Sequence, residues 1–164
     1  METNVTELTQ LVQHYTGKLR VRVCGICLQD KKILVVNHKD INGSYNLWSP
    51  PGGGLQFGEK IKECLVREFA EETGLEVIPG RFLFMNEFLQ DPLHALELFF
   101  EVHITGGQLK TGIDPELDTN SQLIREVAFK SLPELRQEKP KDLHHIFIDL
   151  IDLDDLFIPI HRFK

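Results

Sequence analysis

Hydrophobic positions along the chain follow two periods, and the switch between them predicts the elements. Val5, Leu8, Leu11, Val12 and Tyr15 recur at helical spacing, so residues 5–15 are expected to form an amphipathic helix. Residues 19–28 and 33–36 read as strands joined by a polar turn near Asp30 to Lys32. Residues 37–46 form a polar loop with Asn42-Gly43 as its turn signal. After the tight loop Pro51-Gly52-Gly53-Gly54 the period becomes helical. Gly58 and Glu59 open that helix, Leu65, Val66, Phe69 and Ala70 form its docking side, and Gly74 stops it.

Residues 81–90 and 96–104 read as two further strands separated by Asp91-Pro92. Residues 105–121 form a long loop, and residues 123–129 another strand. Ser131-Leu132-Pro133-Glu134 has the spacing of a capping box. Residues 143–153 have the spacing of a final helix. Strands and helices alternate irregularly, with hairpins. This predicts an α/β fold with a mixed sheet covered by helices on both faces.

Glu68, Glu71 and Glu72 fall within roughly 100° of one another on the predicted central helix. Like charges placed so closely weaken a helix unless a cation covers them. Hard divalent ions such as Mg²⁺ take oxygen ligands of this kind, usually together with substrate phosphates. Arg67 is placed to pair with the carboxylates and hold their rotamers. Glu59 lies near the positive end of the helix.

The stretch from Gly53 to Leu75 resembles the Nudix box, G-x5-E-x7-R-E-U-x-E-E-x-G-U, in which U is apolar. Gly53, Glu59, Arg67, Glu68, Phe69, Glu71, Glu72, Gly74 and Leu75 fill every defined position. The lead-in Leu47-Trp48-Ser49-Pro50-Pro51-Gly52-Gly53 resembles the W-x-x-P-G-G of the same family. The resemblance covers roughly residues 18–150 and implies an α/β/α sandwich, with residues 1–17 as a helical extension and 18–164 as the Nudix domain. It further implies a hydrolase that cleaves the diphosphate bond of a nucleoside diphosphate linked to another group, or of a nucleoside triphosphate. By resemblance, Glu68, Glu71 and Glu72 bind Mg²⁺ or Mn²⁺ with the Gly52 carbonyl, while Glu59 and Arg67 support them. In some members the base that activates water comes from the box, in others from a late loop. Here Glu116 is the loop candidate, with Asp114 and Asp118 as neighbours. A domain that has lost catalysis and acts as a nucleotide sensor or scaffold is the alternative.

Composition narrows the partners. The net charge of −7 argues against binding a nucleic acid polymer but leaves a small phosphorylated nucleotide open. Neither a membrane span nor a secretory signal is expected, which makes a cytoplasmic location the default. The N-terminal helix packs either on the core or on a second copy in a homodimer. Cys24-Gly25-Ile26-Cys27 matches a C-x-x-C pattern, but in a strand residues three apart face opposite ways, so both are expected to be buried thiols.

Other candidates are weaker. His38, Lys39 and Arg81 are possible phosphate contacts, Trp48 is expected to pack beneath the glycine loop, and His144-His145 reads as a surface pair. The proline that ADP-ribose-cleaving members carry beyond the box has its nearest counterpart in Pro92. Phe82, Phe84, Phe88, Phe99 and Phe100 read as mostly core by alternation.

Overall fold

The computed structural model describes residues 13–39, 46–91, 93–113 and 123–162. Residues 13–15 are helical and lead into the first strand; the rest of the expected N-terminal helix lies outside the described residues. Two four-stranded sheets follow. The first contains β1 (Leu19–Ile26), β5 (Gly52–Gly54), β6 (Leu75–Gln90) and β7 (Leu93–Gly107) in the order β5-β1-β7-β6. Strand β1 is parallel to β7 and antiparallel to β5, and β6 is antiparallel to β7, so the sheet is mixed. The second sheet centres on β3 (Lys32–Lys39), which pairs antiparallel with β2 (Leu28–Gln29), β4 (Asn46–Ser49) and β8 (Ile124–Lys130).

One long helix, α1 (Ile61–Thr73), packs on one side of these sheets. It starts two residues later than the sequence suggests. Glu63 accepts the Lys60 amide at 3.4 Å, while Glu59 lies before the helix and accepts the Gln56 amide at 3.1 Å. The helix stops at Gly74, whose φ of 72° is the left-handed stop expected there and whose N–H reaches the Ala70 carbonyl at 3.1 Å.

The docking face of α1 is Cys64, Leu65, Phe69, Glu72 and Thr73. Val66 and Ala70 point outward instead, because each is rotated ~100° past the buried residue before it. Leu65 and Phe69 join Val23, Cys27 and Leu34 in one core cluster. Cys24, Ile26, Phe84 and Phe99 face the other way, into a second cluster. The two thiols therefore lie in different clusters, both buried and free. Three of the five phenylalanines expected in the core, Phe84, Phe99 and Phe100, are buried there, whereas Phe82 is 44% exposed.

The second cluster is closed by α2 (Leu132–Leu135) and the C-terminal segment. The Ser131 capping box forms as expected, with the Ser131 amide reaching Glu134 at 2.7 Å. The expected helix over 143–153 does not form. Short 3-10 turns at Pro140–Asp142, His145–Phe147 and Leu153–Phe157 take its place. The apolar spacing still buries Leu143, Ile146, Phe147, Leu150 and Leu153. However, the side chains of His144, Asp152 and Asp155 capture nearby backbone amides and compete with helical bonding.

Strand β6 begins at Leu75, six residues before the predicted start, and absorbs Pro79-Gly80 through register shifts. Segment 160–162 runs along its outer edge, where Glu87 N–H and Arg162 N–H make bonds of 2.9 and 2.8 Å with Arg162 and Met85 carbonyls. Among the described residues no helix is long and apolar enough to cross a membrane.

Candidate active site

The glycine loop is strand β5, and its lack of side chains sets the site. Gly52 pairs with Cys24 and Gly53 with Val23 on β1. A Cβ on Gly52 would strike the Val23 carbonyl oxygen, and one on Gly53 would strike the carboxyl group of Glu68. The Glu68 carboxylate can therefore lie directly against the β5 backbone.

Arg67 organises the carboxylates around it. Its Nε and Nη2 fork onto the two oxygens of Glu59 at 2.7 and 3.0 Å. Nη1 donates to Glu68 at 2.7 Å and to Glu71 at 3.2 Å, and Nη2 also reaches the Gly54 carbonyl at 3.3 Å. The Arg67 hydrogen bonds hold the Glu59 carboxyl down at about 2, against the effect of burial. Glu68 goes the other way. Burial, and then the negative charge of Glu72, push its carboxyl up to about 7 although Arg67 opposes them.

Glu72 is not on an open face. It is buried, its Oε2 accepts the Gly52 amide at 2.9 Å, and its Oε1 lies 3.2 Å from His38 Nε2. His38 is in turn 3.5 Å from the Ser49 hydroxyl. Of the weaker sequence candidates, then, His38 joins the cluster. Arg81 pairs with Glu101 at 3.3 Å on the β6–β7 hairpin. Trp48 is buried, with the Lys130 ammonium 4.2 Å from its ring centroid, which fits packing rather than an open stacking platform.

The late loop reaches the same place. Segment 108–113 runs along the end of α1. The Lys110, Gly112 and Ile113 amides donate to the Thr73, Glu72 and Glu71 carbonyls at 3.0, 2.9 and 3.2 Å. A Cβ on Gly112 would collide with the Glu71 carbonyl oxygen, so only glycine permits this approach. Asp114, Glu116 and Asp118 lie outside the described residues. Among the described residues, no three His, Cys, Asp or Glu side chains already converge as a formed metal site requires. The glutamates are instead drawn toward Arg67, Gly52 and His38.

A polar network escaped the sequence reading. Glu97, on β7, is 1% exposed. Its Oε2 meets His144 Nε2 and Asn86 Nδ2 at 2.8 Å each, and its Oε1 lies 3.5 Å from Arg22 Nη1. Burial pushes the Glu97 carboxyl up, but His144 and Arg22 outweigh it and hold the group at about 2. His145 Nε2 reaches Asn86 Oδ1 at 2.7 Å, and the two imidazoles stack on each other and on Phe88. The histidines expected at the surface are thus part of an internal network, because Glu97 offers His144 a buried carboxylate. A charged residue inside Leu96-Glu97-Leu98, and a histidine inside the apolar spacing of 143–150, were the available signals. Beside this network lies a cavity of about 520 Å³ lined by Asn86, His145, Ile146, Asp149, Leu150 and Arg162, among others.

Several known proteins resemble this chain. An ADP-ribose pyrophosphatase of Methanocaldococcus jannaschii is 37% identical over 98 residues, covering 57% of this chain and 56% of that protein. Phosphatase NudJ of Escherichia coli strain K12 is 33% identical over 88 residues, covering 53% of this chain and 56% of that protein. The chain thus spans about half the length of these curated relatives. A NUDIX hydrolase from Nitrosomonas europaea superimposes with a TM-score of 0.57 at 28% identity, covering 76% of this chain and 84% of that one. The NUDIX domain profile matches residues 18–150, which take in the glycine loop, α1 and both sheets, and the chain belongs to that family.

Proposed function

We propose that this chain is a metal-dependent pyrophosphohydrolase. Its substrate is a nucleoside diphosphate linked to another group, such as ADP-ribose or a nucleotide sugar, or a nucleoside triphosphate. The observation that carries the reading is the seating of Glu68 against the bare β5 backbone beside Glu72, where burial and mutual repulsion raise the Glu68 carboxyl to about 7. An all-oxygen set of crowded carboxylates is the donor chemistry that suits Mg²⁺ or Mn²⁺. Glu68, Glu71, Glu72 and the Gly52 carbonyl would hold the ion. Bound there, it would neutralise charge on the diphosphate and lower the pKa of an attacking water.

The chain's own residues account for the rest. Arg67 fixes Glu59, Glu68 and Glu71 in one frame. The Gly52 amide and His38 orient Glu72. Water adds to phosphorus, the bridging P–O bond breaks, and a carboxylate takes the water's proton. Glu116 is the proposed acceptor, supported by the path of 108–113 against the Glu71 and Glu72 carbonyls. Asp114 and Asp118 are its alternatives.

The reading is tested by screening nucleotide sugars, ADP-ribose and nucleoside triphosphates with Mg²⁺ or Mn²⁺, following the phosphorylated products. Metal-dependent release that a chelator abolishes is expected. Full turnover in chelator, or none with any substrate, would overturn it.

A further inference from the structure

Glu97 stands apart from the Nudix box, yet a chain of contacts joins it to Glu72. The carboxylate holds Arg22 through Nη1 at 3.5 Å, and Arg22 Nη2 donates to the Gly52 carbonyl at 2.9 Å. The amide of that same glycine donates to Glu72 Oε2 at 2.9 Å. Gly52 is therefore gripped at both ends of its backbone, by a cation on the carbonyl side and an anion on the amide side. Its φ of 152° and the Val23 carbonyl beside it leave no room for a side chain that would fix it otherwise.

We propose that Glu97 is a positioning residue for the metal-binding loop, acting through Arg22. The inference rests on the pyrophosphohydrolase reading above. Burying a carboxylate this deeply is costly, and apolar replacements often serve packing as well or better. Here the cost is met by three partners that all tie Glu97 down: His144 from the C-terminal segment, Asn86 from β6 and Arg22 from β1. The Arg22 guanidinium bridges Glu97 and the Gly52 carbonyl through its two terminal nitrogens. A carbonyl oxygen has two lone pairs, so Arg22 takes one and aims the other. Without Glu97 the guanidinium loses its anchor and the Gly52 carbonyl loses the donor that aims it, while the preceding peptide stays held by the Gly25 amide on the Pro51 carbonyl at 2.9 Å.

The test compares Glu97→Gln, Arg22→Ala and the double variant in the full chain. The first readout is Mn²⁺ binding by electron paramagnetic resonance without substrate. The second is kcat and KM with the best substrate of the nucleotide screen. Each single variant should weaken Mn²⁺ binding by about 10- to 100-fold, the usual effect of removing an outer partner of a metal ligand. The kcat should fall more than the substrate KM rises. The double variant should be no worse than the poorer single, because both changes break one chain of contacts. Unchanged Mn²⁺ affinity in Glu97→Gln, or additive losses, would overturn the proposal. So would tighter binding, the result expected if Arg22 merely repelled the cation. Should Glu97→Gln fail to fold, Arg22→Lys carries the test: it keeps the charge but lacks the fork, and must show the same loss. Mn²⁺ binding is read without turnover, so failure of this inference remains distinct from a wild-type chain that hydrolyses nothing.

Discussion

The Glu72 carboxylate receives the Gly52 amide at 2.9 Å across twenty residues of sequence, and this bond locks the glycine loop onto α1. Glu72 is thus both a structural acceptor and more buried than Glu68 or Glu71. Glu72→Gln keeps an oxygen for the Gly52 amide but loses the charge. Turnover should fall by orders of magnitude, with a stability loss of about 1 kcal/mol, the difference between a charged and a neutral hydrogen bond. Steady-state kinetics and thermal melts read the two effects separately. An unchanged rate would remove Glu72 from the metal shell.

Two glycine-to-alanine changes should fail in different ways. Gly53→Ala pushes a methyl group into the Glu68 carboxyl, the end of a flexible side chain. It should lower kcat strongly while leaving the melting temperature close to normal. Gly25→Ala instead drives a methyl into the Phe69 ring and Val102, inside the core. It should cost about 1–3 kcal/mol through overpacking. Equal stability losses in the two variants would contradict this division.

The Glu97 carboxyl, held at about 2 in the fold, predicts an acid limit on stability. Its unfolded value is about 4.3, so its contribution is fully present above that pH and disappears as pH falls from there through about 2. The facing groups are Arg22, His144 and Asn86. Wild type should therefore lose its melting-temperature advantage over Glu97→Gln as pH drops through this window, at about 2–4 °C per kcal/mol. A constant difference from neutral pH down to about 2 would show that Glu97 does not titrate with folding.

For the late loop, Glu116→Gln should reduce kcat by about 10²- to 10⁴-fold, the range of general acid–base assistance. KM should change little, since the interaction is made mainly in the transition state. A loss below about tenfold would place the base in the box, and the same kinetics on Asp114→Asn and Asp118→Asn separate the neighbours.

The legible parts of this chain were those fixed by local periodicity. The α1 period, the Gly74 stop and the Ser131 capping box all depend on residues within a turn or two of each other, and all formed. The fork of Arg67 onto Glu59 was half legible, since its two residues lie eight apart on one short segment. The Glu97–His144 pair was not, because 47 residues separate its members and nothing local shows which strand meets which turn. The false final helix has a related cause. Its apolar spacing was real and is honoured by burial, but polar side chains at 144, 152 and 155 redirected the backbone. Strand β6 starts earlier than expected because Pro79-Gly80, which would break an isolated strand, is absorbed by bulges in a paired one.

The last carbonyls of α1 are satisfied by residues 110, 112 and 113, roughly forty positions downstream in sequence, rather than by anything in the box. The box is consequently not a portable cassette. A peptide spanning Gly53 to Leu75 would carry every signature residue, yet it would leave those helix-end carbonyls bare and the Glu72 carboxylate without the Gly52 amide. Grafting the signature onto another scaffold would transfer its sequence without its geometry unless the returning segment 108–113 came with it.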